Sequence, residues 1–138
     1  MRYQAEYNRS INDPEGFWRE KAQTLSWFKF PENILSQDAH GIYHWFADGE
    51  MNTAYMALDY HIEQGYGNQL ALIYDSPVTD TKQTYTYCEL RDAVAKTAGM
   101  LAGLGVAKGD RVIIYMPMIP EALLAMLACA RIGAIHSV

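Results

Sequence analysis

The sequence predicts an α/β protein in which an aromatic-rich, partly helical N-terminal extension precedes the start of a βαβ unit with a parallel sheet. Two observations lead to this prediction. Residues 1–66 carry many large aromatic side chains with little periodicity, whereas residues 67–138 alternate between short apolar runs and stretches with apolar residues three and four apart. Short apolar runs are typical of buried strands, and spacings of three and four are typical of helices. We therefore expect one region at 1–66 and a second at 67–138.

The composition is that of a globular protein with room for one core. The chain has 138 residues, half of them hydrophobic and a fifth charged, and a net charge of −5. Such a balance excludes a disordered or fibrous chain. The negative charge gives no reason to expect a nucleic-acid or membrane partner, because both favour basic patches.

The N-terminus and the cysteines both indicate a cytoplasmic protein. The first residues lack the apolar stretch of a signal peptide. The longest apolar run, 122–130, is too short for a membrane span, which takes about 20 residues. Cys88 and Cys129 lie in apolar helical patterns without CxxC spacing, so we expect two buried thiols in a reducing compartment.

The N-terminal region contains two predicted helices. Asp13 is suited to be an N-cap, Pro14 to be the first helical residue, and the helix continues towards Leu25. A second helix is predicted from Asn52 to Gly65. Irregular chain between them carries five large aromatics, which we expect to coat another surface, because so many rings in loop sequence are costly to expose. These aromatics are Trp27, Phe28, Phe30, Trp45 and Phe46.

The second region begins with two predicted strands and a capped helix. Residues 70–74 (LALIY) and 83–87 (QTYTY) have strand composition, with a turn at 79–82. Thr86 and Glu89 have the spacing of a capping box, in which each side chain accepts a backbone N–H of the other residue. The helix that follows is expected to end at Gly103 and Gly105.

The C-terminal residues predict the βαβ unit itself. A turn at 108–110 leads into a strand at 111–116, prolines break that strand, and a helix runs from Pro120 to Gly133 before a strand at 134–138. Strand, helix and strand in this order imply a parallel pair with a right-handed crossover. Val138 ends the sequence inside an apolar predicted strand without a polar tail, so we expect the chain to be truncated.

Residues 103–109 contain three glycines that do not form a nucleotide-binding loop. The third glycine follows the second by four residues instead of three, and the glycines end a helix and precede a strand. A phosphate-binding glycine loop follows a strand and opens a helix, so that free amides face the phosphate. A helix C-cap and a turn are the better interpretation, and a free-standing nucleotide binder is the weakest of the functional alternatives.

Few side chains are candidates for chemistry. His40 and His44 are four residues apart, but no acidic or cysteine ligand is suitably spaced, so no metal site is expected. His136 lies near the carboxyl end of a predicted parallel strand, where open α/β sheets bind ligands, although a strand histidine held by a backbone partner is the more ordinary interpretation. Asp59 and Glu63 are expected on a solvated helix face.

The methionines and serines give no stronger candidate. Met116 and Met118 flank a proline at the end of a strand; core filling is the preferred interpretation, and the wall of a substrate pocket is the alternative. No serine lies in a nucleophile elbow.

Four segments resemble short-chain acyl-CoA synthetases of the AMP-forming, acetyl-CoA synthetase family. Residues 109–122 (GDRVIIYMPMIPEA) and 127–138 (LACARIGAIHSV) resemble long, specific stretches of these enzymes. Residues 45–52 (WFADGEMN) are similar to the WF-x-x-G-x-x-N element of their N-terminal extension. Residues 7–18 (YNRSINDPEGFW) resemble propionate–CoA ligases more than acetate–CoA ligases. The match spans nearly the whole chain.

The resemblance implies the adenylate-forming fold and a ligase in the full-length protein. That enzyme would use ATP, Mg²⁺ and CoA to convert a small carboxylate, with propionate expected and acetate as the alternative, into an acyl-adenylate and then a thioester. The family's catalytic and phosphate-loop residues have no counterpart here, so the chain alone is expected to be inactive and free of bound cofactors. His136, Ser137 and Val138 would lead into the CoA-binding turn. A non-catalytic interaction or self-association module is the rival hypothesis.

Overall fold

A computed structural model describes residues 2–138 and divides the chain into two compact units, Met1–Met51 and Asn52–Val138. The division falls after Met51, and residues 53–66 pack with the second unit.

The first unit begins with two helices, α1 (Arg2–Asn12) and α2 (Pro14–Ala22). The predicted start of α2 is confirmed, because Oδ1 of Asp13 accepts the backbone N–H of Gly16 at 3.0 Å and Pro14 is the first helical residue. The helix ends at Ala22, earlier than the sequence suggested. Helix α1 was not predicted, and none of its residues is buried.

The middle of the first unit is more regular than predicted. Strands β1 (Leu35–Gln37) and β2 (Tyr43–Trp45) form an antiparallel hairpin with Ser36 opposite His44, and Lys29 forms a single bridge with Glu50. The expectation of irregular chain is therefore wrong for these residues. Both strands have only three residues, which is too short for an alternating pattern to stand out in the sequence.

The large aromatics of this unit pack largely on one another. Ring centroids lie 5.5 Å apart for Trp27 and Phe46, 6.2 Å for Trp27 and Phe30, and 6.1 Å for Trp18 and Trp45. Such tilted and edge-to-face pairs are favoured by the aromatic quadrupole. The aromatic residues that were expected to cover another surface thus pack partly on one another. Phe28 and Trp45 nevertheless keep 65% and 45% of their surface exposed.

The second unit opens with a helical segment at 53–66. The predicted helix is present, but its turns at Tyr55–Asp59 and Ile62–Tyr66 are π-helical, and Gly65 has a positive φ of 87°. Leu58, on the inner side of this segment, is 2% exposed.

A hairpin and a long helix follow. Strands β3 (Leu70–Ser76) and β4 (Thr81–Thr86) pair antiparallel, with the predicted turn shifted to residues 77–80. Helix α3 (Tyr87–Gly103) begins with the predicted capping box: Oγ1 of Thr86 accepts the N–H of Glu89 at 3.2 Å, and Oε2 of Glu89 accepts the N–H of Thr86 at 2.8 Å.

The predicted βαβ unit is confirmed as a parallel pair. Strand β5 (Arg111–Ile113), helix α4 (Pro120–Ile132) and strand β6 (Ile135–Ser137) follow in order, and β5 pairs parallel with β6. Strand β5 ends at Ile113, before the predicted Met116, and just beyond it the N–H of Ile114 donates to O of Ser137 at 2.8 Å. Gly133 ends α4 in the left-handed conformation, as its position predicted.

The core of the second unit lies between the helical segment, α3 and α4. Its fully buried members are aliphatic, and they are Leu58, Leu90, Val94, Ala98 and Ala128. Within residues 2–138, no helix is both long enough and apolar enough to cross a lipid bilayer.

Candidate ligand-binding edge of the parallel sheet

The carboxyl ends of β5 and β6 lie at one edge of the parallel sheet. Val112 stands opposite His136, and Ile113 stands opposite Ser137. Open α/β sheets bind ligands in the crevice beyond the carboxyl ends of their strands. This edge, with Ser137 and Val138 at its end, is therefore the candidate functional site.

Backbone hydrogen bonds hold β6 and the turn before it in place. N of Gly109 donates to O of Gly133 at 2.9 Å, and N of Ile135 donates to O of Asp110 at 2.7 Å. N of Ile114 donates to O of Ser137 at 2.8 Å and extends the pairing to the carboxyl edge. The position of the carboxyl edge therefore depends on backbone contacts that the turn before β6, and β6 itself, make with residues 109–114.

The two faces of this sheet differ in their cover. Alternate side chains point to opposite faces, and α4 packs against β6. On one face Ile114 and Ala134 are each 7% exposed. On the other face Ile113 is 82% and Ile135 is 58% exposed. One face is therefore covered only at Ile114 and Ala134, since His136 on the same face is exposed, and the other face is open among the described residues.

His136 lies in the strand where the sequence placed it, and its side chain is exposed. Among residues 2–138 its imidazole has no hydrogen-bond partner, so the ordinary interpretation, a histidine held by the backbone, is not what the structure has. The expectation that His136, Ser137 and Val138 lead into a CoA-binding turn stays a prediction.

The methionines after β5 are not core residues. Met116 is 50% and Met118 is 90% exposed, and Tyr115, just before them, is fully exposed. The preferred interpretation of core filling is wrong here, because the chain leaves the sheet after Ile114 and no described element covers residues 115–118. The alternative, a wall beside the sheet edge, stays a prediction.

The C-terminal end of α4 is held by residues far away in sequence. Nδ2 of Asn52 donates to the carbonyl oxygens of Ala130 (3.2 Å) and Arg131 (3.1 Å), while Oδ1 of Asn52 accepts the N–H of Tyr55 at 3.1 Å. The Arg131 guanidinium forms two hydrogen bonds with the Asp59 carboxylate, at 2.8 and 3.1 Å. Hydrogen bonding to the Asp59 carboxylate, together with its negative charge, raises the pKa of Arg131.

The prediction that Asp59 and Glu63 lie on a solvated helix face is therefore wrong for Asp59. Asp59 is engaged with Arg131 and its side chain is 20% exposed. Glu63, by contrast, is exposed and accepts the hydroxyl hydrogen of Tyr55 at 2.8 Å. The spacing of Asp59 and Glu63 gave no signal for the arginine, because the two partners are 72 residues apart.

The remaining candidates are structural. Nε2 of His44 lies 3.1 Å from Oδ2 of Asp38, whose pKa is lowered chiefly by that contact.

Cys129 is fully buried, and burial raises the pKa of its thiol. Cys88 is only partly buried, so the expectation of two buried thiols holds for one of them. Gly105 and Gly109 both adopt positive φ in the connection between α3 and β5, as a cap and a turn require.

The WF-x-x-G-x-x-N element has a structural explanation at each fixed position. Trp45 and Phe46 belong to the aromatic cluster of the first unit. Gly49 lies against the Trp27 ring so closely that a Cβ would stand 2.7 Å from Cζ3. Asn52 opens the second unit with the contacts described above. Chain folding, without any contact to a ligand, is enough to explain this pattern.

Among residues 2–138, no three His, Cys, Asp or Glu side chains approach one another closely enough to hold a metal ion. Mg²⁺ prefers oxygen ligands in octahedral geometry, and the sheet edge with His136 and Ser137 does not provide them. The described residues therefore do not fit a Mg²⁺ site.

The parallel pair and its open carboxyl edge are typical of the class of α/β proteins that bind ligands beyond the carboxyl ends of parallel strands. Residues 60–138 match the family of AMP-binding enzymes, and residues 3–57 match the acetyl-coenzyme A synthetase N-terminus. The chain belongs to the AMP-binding enzyme family, in the branch that carries the acetyl-CoA synthetase type of N-terminus.

Similar proteins agree with this assignment. An uncharacterized protein of Pseudomonas aeruginosa is 59% identical over 138 residues, which is 100% of this chain and 22% of that protein. The mitochondrial acyl-CoA synthetase short-chain family member 3 of Rattus norvegicus is 52% identical over 98% of this chain and 20% of its own length. The solved structure of acetoacetyl-CoA synthetase from Streptomyces lividans is 30% identical with a TM-score of 0.80, covering 94% of this chain and 20% of that one. The chain thus spans about a fifth of these proteins, and the predicted α/β fold class is confirmed.

Proposed function

We propose that the chain is the N-terminal part of an enzyme that activates a short-chain carboxylate with ATP and transfers the acyl group to CoA. The observation that carries the proposal is the match of consecutive segments, 3–57 and 60–138, to the acetyl-CoA synthetase N-terminus and to the AMP-binding enzymes. The parallel sheet supports it, because its carboxyl edge is the position at which such folds receive ligands.

The reaction has two steps. A carboxylate oxygen attacks the α-phosphorus of ATP, and the bond to pyrophosphate breaks. The CoA sulfur, as the thiolate, then attacks the carbonyl carbon of the acyl-adenylate, and AMP leaves. Activation is needed because a carboxylate is a poor electrophile. Mg²⁺, when bound, would neutralise charge on the polyphosphate.

The described residues frame the site and do not perform this chemistry. None of them is proposed as catalytic, and the 138 residues alone are proposed to be inactive. His136, Ser137 and Val138 lie at or next to the open carboxyl edge, and we place them beside the path of CoA. We also place the border between the N-terminal extension and the AMP-binding domain near residues 66 and 67.

Propionate is the substrate that we propose. Residues 7–18 resemble propionate–CoA ligases, whereas the matched N-terminal family is described as that of acetyl-coenzyme A synthetase. The two acids differ by one methylene, which an apolar pocket discriminates by only about 1–3 kcal/mol. Acetate is therefore the direct competitor.

A substrate panel on the full-length protein tests the proposal. Pyrophosphate release is measured with ATP, CoA and acetate, propionate, butyrate or acetoacetate in turn. We expect release with short acids, and the highest kcat/KM with propionate. A higher kcat/KM with acetate would overturn the substrate but keep the ligase. No release with any acid would overturn the ligase.

Self-association is the second candidate function, and one observation favours it. Apolar side chains stay exposed around β5 and β6: Ile113, Tyr115, Met118, Ile135 and Val138. Open apolar sheet surfaces promote association. Sedimentation velocity of this chain decides: a clean monomer over a wide concentration range would contradict the candidate.

The cytoplasm is the location that we propose, since both cysteines are free thiols. The rat relative is described as mitochondrial. Fractionation of cells that express the tagged full-length protein would distinguish the two locations.

A further inference from the structure

A single amide side chain connects two helix ends in the second unit. Nδ2 of Asn52 donates to the last carbonyl groups of α4, those of Ala130 and Arg131, and its Oδ1 accepts the N–H of Tyr55 in the first turn of the helical segment 53–66. The first N–H groups and the last carbonyl groups of a helix lack the usual partner four residues away, and the Ala130 carbonyl otherwise accepts the N–H of the C-cap residue Gly133 at 3.2 Å. Asn52 is therefore at once an N-terminal cap for one helix and a C-terminal cap for the other.

A second link joins the same two elements. Arg131 and Asp59 form a bidentate ion pair, and their side chains are only 31% and 20% exposed. Two parallel hydrogen bonds fix orientation as well as distance. The last turn of α4 is thus held at two separate points by residues 52–59.

The end of α4 is coupled closely to strand β6. Only Gly133 and Ala134 separate the two elements. Gly133 has φ of 76°, and its carbonyl accepts the N–H of Gly109 at 2.9 Å, which ties the turn to the chain before β5. N of Ile135 then donates to O of Asp110 at 2.7 Å. A displacement of the α4 end must therefore displace β6.

We propose that Asn52 and the Asp59–Arg131 ion pair are positioning residues for the CoA-dependent step. They hold the end of α4 and, through the turn at Gly133, set the carboxyl edge at Ser137 and Val138. None of the three touches a substrate. This inference rests on the proposed function, because that function places the path of CoA at this edge.

The test uses Asn52→Asp in the full-length protein. The aspartate keeps an oxygen for the N–H of Tyr55, but it replaces the amide donor by a negative oxygen facing two carbonyl groups. We expect the KM for CoA to rise about tenfold, a change that small displacements of a positioned group can produce. Carboxylate-dependent ATP–pyrophosphate exchange, which needs no CoA, should stay within about twofold, because only the second step is affected.

Control variants keep the test specific. Asn68→Asp introduces the same charge at an exposed position of the same unit and should leave both measurements unchanged. Asn52→Ser keeps an N-cap oxygen, but its short hydroxyl cannot reach both carbonyls, so a smaller rise in the KM for CoA is expected. This milder variant serves if the aspartate prevents folding. Arg131→Lys, which keeps the charge and loses the fork, should act in the same direction.

The outcomes separate the inference from the proposed function. A wild-type protein that forms no CoA thioester from any short acid overturns the proposed function. An active wild type whose Asn52 variants keep the same KM for CoA overturns the inference alone. Equal losses in pyrophosphate exchange and in thioester formation also overturn it, since they indicate a general structural role.

Discussion

The two units bury their side chains in different ways. In the unit up to Met51, phenylalanine rings pack edge to face or tilted against Trp27. The indole N–H of Trp27 donates to the carbonyl of Ala22 at 2.8 Å. In the unit from Asn52, aliphatic side chains on three helical elements fill one core around Leu58 and Val94.

This difference indicates which changes each unit tolerates least. In the first unit the close approach of Gly49 to the Trp27 ring makes an added atom the sharpest test, and in the second unit removal of aliphatic atoms from the core is the sharpest test. The three tryptophans, at 18, 27 and 45, all lie in the first unit. Tryptophan fluorescence therefore reports on the first unit, and far-UV circular dichroism draws much of its signal from helices α3 and α4 of the second.

The largest effect is expected for Leu58→Ala in the second unit. Leu58 is 2% exposed in the core, and removing a buried leucine side chain costs about 3 kcal/mol of unfolding free energy. Urea unfolding followed by circular dichroism measures it. Leu104→Ala, at a position 76% exposed, is the matched control and should change stability by less than about 0.5 kcal/mol. Equal losses for both variants would contradict the assigned core.

A smaller effect is expected for Gly49→Ala in the first unit. The new Cβ would stand 2.7 Å from Cζ3 of Trp27, and such overpacking costs about 2 kcal/mol. The transition seen by tryptophan fluorescence should shift to lower urea. Gly99→Ala is the control: it lies inside α3 with open space around it, so it should stabilise by about 0.5–1 kcal/mol. A Gly49→Ala variant as stable as wild type would show that the ring cluster is loose.

Removal of the capping box comes next. Thr86→Ala deletes the acceptor for the N–H of Glu89, and loss of an N-cap costs about 1 kcal/mol. The loss should be visible by circular dichroism with little change in the fluorescence transition. Thr79→Ala, in the exposed turn of the β3–β4 hairpin, is the control and should be nearly neutral. If both probes shift together for Thr86→Ala, the two units unfold as one.

The smallest effects concern pH, and they occur in both units. Backbone N–H groups lower the pKa of Asp48, with Asn33 the main donor, and that of Glu89, with Thr86 the main donor. Each carboxylate therefore adds stability above its unfolded pKa, about 4, and this stability is lost as pH falls through the lower folded pKa. Asp48→Asn and Glu89→Gln should destabilise at pH 7, and the difference from wild type should shrink on acidification. A difference in unfolding free energy between variant and wild type that grows on acidification would contradict the prediction.

Local signals in the sequence predicted much of the second unit. The Thr86–Glu89 spacing, the glycine at 133 and the order of strand, helix and strand each reflect chemistry within a few residues, and each was confirmed. Local chemistry was equally sufficient for Asp13 in the first unit.

What the sequence did not predict depends on weak or distant signals. Helix α1 carries Tyr3, Tyr7 and Ile11 at helical spacing, but all three are exposed, so no burial accompanies the pattern. The β1–β2 hairpin has strands of three residues. The site residues Asn52 and Arg131 meet across 79 residues, and such a pairing leaves no mark in the local sequence.

The helical segment 53–66 has one more consequence, which concerns its length. In its first π turn the N–H of Tyr60 donates to the carbonyl of Tyr55, one residue further back than in an α-helix. Leu58 reaches the core and Asp59 reaches Arg131 from this widened turn. Removing one residue would rotate the later side chains by about 100°, so that carboxylate and guanidinium would no longer meet. Shortening this segment should therefore be more damaging than most replacements within it.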